Sequence, residues 1–131
     1  MTASEITRVR GAYQGRNRSS AYRDLVWTVA TATDTSQNIA DQTRQALEII
    51  EGNLKELGSD KQSIVSAQVY IARMADKPVM DEIWCDWIGA NPQNWPQRAC
   101  LGVALEGSVL IEITVTAVRK QSGNSASAAA H

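Results

Sequence analysis

The chain has 131 residues and a mass of 14.3 kDa, the size of one domain with one hydrophobic core. Its 44% hydrophobic and 21% charged residues are ordinary for a soluble globular protein, and 13 Lys+Arg against 14 Asp+Glu exclude a globally basic nucleic-acid binder. No apolar run approaches the roughly 20 residues of a membrane span, and no apolar stretch follows Met1-Thr2-Ala3-Ser4-Glu5, so a cytoplasmic protein without membrane partners is expected.

Two cysteines, Cys85 and Cys100, read as reduced thiols in that setting. The one histidine is His131. Ser-His-Asp and Cys-His catalysis are thereby excluded from the body of the domain. Two separated cysteines and a terminal histidine match no zinc spacing, and there is neither a Gly-x-Gly-x-x-Gly nor a phosphate-binding loop, so no metal and no cofactor is expected. Chemistry must come from Arg, Glu, Asp, Tyr, Cys or the backbone.

Along the chain, Arg8, Arg10, Arg16, Arg18 and Arg23 face only Glu5 within the first 23 residues. Residues 1–18 are expected to form an exposed basic arm, the alternative being an anion or nucleic-acid patch. Leu25-Val-Trp-Thr-Val-Ala-Thr31 has the β-branched, aromatic composition of an interior strand. Asp34, Thr35 and Ser36 offer helix caps, and a helix is predicted over 37–57 from the stripe Ile39, Thr43, Ala46, Leu47, Ile50, Leu54 and Leu57. Gly58 suits the position just past its end. Residues 62–73 alternate as a strand, with Val65, Ala67, Val69 and Ile71 on one side. Asp76 and Pro78 open a second helix, whose buried face is expected to be Val79, Met80, Ile83, Trp84, Trp87 and Ile88.

After the loop Asn91-Pro-Gln-Asn-Trp-Pro96, two strands are predicted over 97–105 and 108–118, joined as a hairpin across Glu106-Gly107. The tail 120–131 is small, polar and expected to be disordered. The fold class is therefore α+β, a mixed sheet of four to six strands with two helices on one face. The uncovered face would carry Ser66, Gln68, Tyr70, Cys100, Gly102, Ala104, Leu110, Glu112, Thr114 and Thr116, either half-solvated or covered by a partner. That mixed surface is neither a core nor a charged exterior, and packing against another subunit is inferred from it.

Residues 22–119 resemble the Rid family of reactive intermediate deaminases (YjgF-type, endoribonuclease L-PSP). The resemblance rests on Gln42-Thr-Arg-Gln-Ala-Leu-Glu-Ile-Ile50, Leu57-Gly-Ser-Asp60, Ile64-Val-Ser-Ala-Gln-Val-Tyr-Ile71 and Met80-Asp-Glu-Ile-Trp84. Its most specific parts are Pro96-Gln-Arg-Ala-Cys-Leu-Gly-Val103 and Ile111-Glu-Ile-Thr-Val-Thr-Ala-Val118. The resemblance implies a fold like trimeric chorismate mutase and a homotrimer with sites at subunit interfaces. It also implies hydrolysis of a reactive imine or enamine to a carbonyl product and ammonia.

By the same resemblance Arg98 holds the substrate carboxylate, for which a two-pronged guanidinium is suited, Cys100 lines the pocket, and Glu112 orients or activates water. Cys100 follows Arg98 by two positions and so points to the same side. Val29-Ala30 stands where many members carry Ser-Gly, which implies a more apolar floor. Asp81 falls where the family has asparagine, Tyr13 matches a pocket tyrosine, and Trp95 is placed to wall the pocket. A trimer that binds a small carboxylate without catalysis is the alternative, and nucleic-acid cleavage is disfavoured by the acidic balance.

Overall fold

The computed structural model describes residues 5–120. In chain order they form β1 (Thr7–Arg10), β2 (Asn17–Tyr22), β3 (Leu25–Thr31), α1 (Ile39–Glu56), β4 (Ile64–Ile71), α2 (Lys77–Ile88), β5 (Gln97–Gly102) and β6 (Ile111–Val118). The strands make one sheet in the order β1-β2-β3-β6-β4-β5. Only β4 and β5 run parallel; the other neighbours are antiparallel. Both helices lie on one face, so the core is a single layer between sheet and helices.

The helix α1 begins at Asn38, whose side chain accepts from the Asp41 N–H at 2.9 Å. Asp34, expected as a cap, instead folds the preceding loop by accepting from Ser36 N, Ser36 Oγ and Gln37 Nε2. The predicted stripe is the buried face: Leu47, Ile50 and Leu54 have at most 1% exposure. The helix ends as foreseen. Gly58 has φ 82°, its N–H donates to Lys55 O, and the Ser59 N–H reaches back to Leu54 O. This paired arrangement satisfies the last carbonyls and favours glycine.

On β6, Ile111, Ile113, Val115 and Ala117 are buried and alternate with half-buried Glu112, Thr114 and Thr116. The same period holds on β4 for Ala67, Val69 and Ile71. Val65 departs from it and is 53% exposed, because the β4–β6 register shifts between Ile64 and Ser66 and Ile64 takes the inward position. In α2, Met80, Ile83, Trp84 and Ile88 are buried, but Val79, expected on the same face, is corrected to an exposed position in the first turn. Trp87 is partly buried, packs against Trp84 with ring centroids 5.6 Å apart, and donates from Nε1 to Glu51 on α1 at 3.1 Å. Asp76 precedes α2 in helical conformation and makes no side-chain cap bond.

Two expectations are corrected. The hairpin between 97–105 and 108–118 does not form. The Glu106–Gly107 turn is present, with Val109 N donating to Glu106 O. The segment, however, crosses the end of β4 and carries β6 to its other side, between β3 and β4. The physical reason is apolarity: β6 can bury one whole side and is suited to the centre, whereas the alternating exposed residues of β5 suit an edge.

Nor do residues 7–18 form an arm. They supply β1 and the start of β2, and the arginines hold them in place. Arg10 Nη1 donates to Tyr13 O and Arg16 O at 2.7 and 2.9 Å. Arg18 donates to Asn53 Oδ1 at 2.7 Å and to both Glu56 carboxylate oxygens. Asn53 in turn donates to Thr28 Oγ1, which bonds Ser19 Oγ. The tail expected over 120–131 lies, from Gln121 onward, outside the described residues. No described helix is long and apolar enough to cross a membrane.

Candidate active site

The parallel pairing of β4 with β5 decides where the signature residues point. Arg98 is opposite Ala67 and Cys100 opposite Val69, and both β4 residues are buried under the helices. Side chains at paired positions share a face. Arg98 and Cys100 therefore point together, as their spacing predicted, but toward α2. The expected place of Cys100 on the uncovered face is thus corrected; its thiol packs against the core.

The guanidinium of Arg98 lies along α2. Its Nη2 donates to Asp81 Oδ1 at 2.6 Å, its Nη1 approaches Met80 Sδ at 3.7 Å, and its central carbon sits 5.2 Å from the Trp84 ring centroid. The side chain is only 18% exposed. The other oxygen of Asp81 accepts from Lys77 Nζ at 2.8 Å, one helical turn earlier. Burial pushes the Asp81 carboxyl up, but hydrogen bonds from Lys77 and Arg98, with their charges, outweigh it and hold it below its ordinary value. Burial pushes the Cys100 thiol up despite the nearby Arg98 and Lys77. Cys100 is a thiol at neutral pH, which suits a pocket wall better than a nucleophile.

Lys77 was not anticipated as a member of this cluster. The signal was available: Lys77 and Asp81 are four residues apart on one helix, a spacing that brings side chains together.

Glu112 is elsewhere. It stands opposite Tyr70 on β4 and Thr31 on β3, half-buried on the uncovered face, and among the described residues it forms no ion pair. Val29 and Ala30 part company as well. Val29 is opposite Thr114 on the uncovered face, where it lines a shallow cavity of about 280 Å³ with Trp27, Gln68 and Thr116. Ala30 is 6% exposed within the core, so of the expected apolar floor only Val29 faces this cavity.

Tyr13 is 65% exposed in the β1–β2 loop, under the Arg16 guanidinium at 4.6 Å. With β1 and β5 at opposite edges, about 24 Å of sheet separates its end from Arg98. Trp95 is half exposed before β5, its Nε1 donating to Gly89 O at 2.8 Å. The candidate residues thus do not share one place in the chain. Arg98, Cys100 and Asp81 gather at the β5 edge beside α2, Trp95 is bonded past the end of α2 at Gly89, and Ala30 is in the core. Val29 and Glu112 share the uncovered face, and Tyr13 lies beyond the far edge.

Gln42 is a buried polar residue whose role the sequence did not suggest. Its Nε2 donates to Thr35 O, Gln37 O and Ser108 O, and its Oε1 accepts from Leu110 N. It fastens the segment leading into β6, and so toward Glu112, to α1. Among the described residues no group of three or more His, Cys, Asp or Glu could hold a metal ion.

A six-stranded mixed sheet with one βαβ unit and both helices on one face is the chorismate-mutase-like α+β class. The profile of the family described as endoribonuclease L-PSP matches residues 27–119. A RutC family protein of Haemophilus ducreyi is 37% identical over 86 residues, covering 65% of this chain and 72% of that one. Among solved structures, a YjgF family protein from Neisseria meningitidis superposes with a TM-score of 0.83 at 26% identity, over 92% of this chain and 100% of that one. An uncharacterized protein from Pseudomonas aeruginosa gives 0.79 at 29% identity, over 88% and 99%. The chain belongs to the Rid family, also called YjgF or endoribonuclease L-PSP.

Proposed function

We propose that this protein hydrolyses a reactive, carboxylate-bearing imine or enamine to the corresponding carbonyl compound and ammonia. The observation that carries the reading is Arg98, a family-signature arginine held largely buried against Trp84, with the neutral thiol of Cys100 beside it. A guanidinium of this kind binds a substrate carboxylate through two parallel bonds and draws electron density from the adjacent C=N carbon.

Water supplies the oxygen. As it adds to the C=N carbon, its proton passes to the Glu112 carboxylate and from there to nitrogen. The hydroxyl proton then passes by the same carboxylate to nitrogen, and the C–N bond breaks with its electron pair leaving on ammonia as the carbonyl forms.

Because Arg98 and Glu112 lie on opposite faces, the two roles require two copies of the chain. We propose a homotrimer in which the β5 edge of one subunit meets the uncovered face of the next, bringing Arg98 and Cys100 to Glu112, Val29 and Tyr13. Val29 favours a substrate with a larger or less polar side chain than the smallest 2-imino acids. Nucleic-acid cleavage draws less support, since Arg10 and Arg18 direct their donors to backbone oxygens, Asn53 and Glu56.

The test is ammonia release from 2-imino acids formed in situ by an amino-acid oxidase, from small aliphatic to aromatic side chains. Acceleration by the wild type and its loss in Arg98→Ala is the expected result. No acceleration across the panel, with a simple 2-oxo acid still bound, would replace catalysis by carboxylate binding alone.

A further inference from the structure

The group that should receive the substrate carboxylate already holds one. Asp81 Oδ1 lies 2.6 Å from Arg98 Nη2. It is the one carboxylate in ion-pair contact with Arg98 among the described residues. The contact is made through a single guanidinium nitrogen; the other terminal nitrogen faces only the Met80 sulfur at 3.7 Å. The two-pronged arrangement that gives arginine its strongest carboxylate contact is therefore not used by Asp81. Its other oxygen is bonded to Lys77 Nζ at 2.8 Å. Lys77 and Asp81 are both more exposed than Arg98, with side chains 40% and 33% open against 18%.

We propose that Asp81 is a specificity-determining residue, an internal competitor for the anion site on Arg98 that a ligand must displace toward Lys77. The inference rests on the reading of Arg98 as a carboxylate clamp. Displacement leaves no unpaired buried charge, because Lys77 keeps its bond to Asp81 while the ligand replaces it on Arg98. A carboxylate that engages Arg98 by two bonds can supplant the single bond from Asp81. A neutral carbonyl cannot, since it brings neither the charge nor the fork geometry. The competitor thus narrows the site to carboxylates and rejects the corresponding amides and esters, lowering affinity for the correct ligand as it does so.

The opposite role, in which Asp81 merely orients Arg98, predicts effects of opposite sign. The experiment is calorimetric titration of the full chain with 2-oxobutyrate and with 2-oxobutyramide. The wild type is compared with Asp81→Asn, Arg98→Ala and Asp86→Asn, the last being an exposed charge on the same helix. Asp81→Asn is expected to bind 2-oxobutyrate at least about threefold more tightly than the wild type, the size of a partly exposed charged contact. Asp86→Asn should leave the dissociation constant unchanged, and the amide should not bind the wild type.

In ammonia-release assays on 2-imino acids, KM should fall in Asp81→Asn while kcat does not. Should Asp81→Asn not fold, Asp81→Ser removes the same charge and carries the same expectation. Equal or weaker binding by the Asp81 variants, or an equal gain in Asp86→Asn, overturns the competitor. Undiminished binding by Arg98→Ala, or no binding by any variant, overturns the clamp itself and the competitor with it.

Discussion

Arg98 and Glu112 leave opposite faces of one sheet: Arg98 shares the helix-covered side with Ala67, and Glu112 shares the uncovered side with Tyr70. If both serve the proposed hydrolysis, they come from different chains. Arg98→Ala and Glu112→Gln, each inactive alone, are expected to regain activity when unfolded together and reassembled. In a random equal mixture about one quarter of interfacial sites receive both wild-type residues. Ammonia release near that fraction of the wild-type rate supports the shared site; none at all, from assemblies shown by mass to be mixed, counts against it.

Gln42 should matter to stability out of proportion to its position. The Gln42 side chain is fully buried, and Gln42→Ala removes the acceptor of the Leu110 N–H and the donor to three carbonyl oxygens. A loss of about 2–4 kcal/mol is expected, from an unsatisfied buried donor plus a cavity. Urea unfolding measures the loss, and hydrogen exchange at Leu110 should accelerate ahead of exchange in α1. An unchanged midpoint would mean that water replaces the amide without cost.

The two thiols should differ in reactivity. Burial raises the Cys100 pKa, whereas Cys85 is exposed on α2. Limited alkylation with iodoacetamide near pH 8 should label Cys85 first, as peptide mass mapping would reveal. The linkage has a definite sign. Because the folded thiol ionises above its ordinary value of 9.0, its contribution to stability is complete below that value and is lost as pH rises through the higher folded one.

Asp81 has the opposite dependence. Its folded pKa lies below the ordinary 3.8, so its contribution is complete above the unfolded value and is lost as pH falls through the folded one. The stability difference between wild type and Asp81→Asn is therefore expected to be constant near neutrality and to shrink below about pH 4. A difference that instead grew on acidification would show that the carboxyl is not held ionised by Lys77 and Arg98.

Much of this was legible in the residues because much of it is periodic. The α1 stripe from Ile39 to Leu57 and the alternation Ile111-Ile113-Val115-Ala117 each need only local spacing, and both faces came out as expected. Pairing partners are not local. Glu106-Gly107 is a sound turn signal, yet whether the strands it separates are neighbours depends on β4 (Ile64–Ile71), far earlier in the chain. The same limit applied to Arg98 and Cys100. Their spacing placed them on one side, but which side is set by register with Ala67 and Val69. The strands β1 and β2 were hidden by composition, since a run rich in arginine reads as solvated until Asn53 and Glu56 are seen to receive Arg18.

The placement of β6 bears on how the chain matures. Among the described elements it is the latest in sequence, and it lies inside the sheet, between β3 and β4. Until it arrives from the ribosome, β1–β3 and β4–β5 are two ribbons with no shared backbone bonds, each presenting an open strand edge that attracts foreign strands. A chain cut short before Ile111 therefore keeps two sheet fragments without the strand that pairs with both, prone to aggregation and to capture by chaperones and proteases.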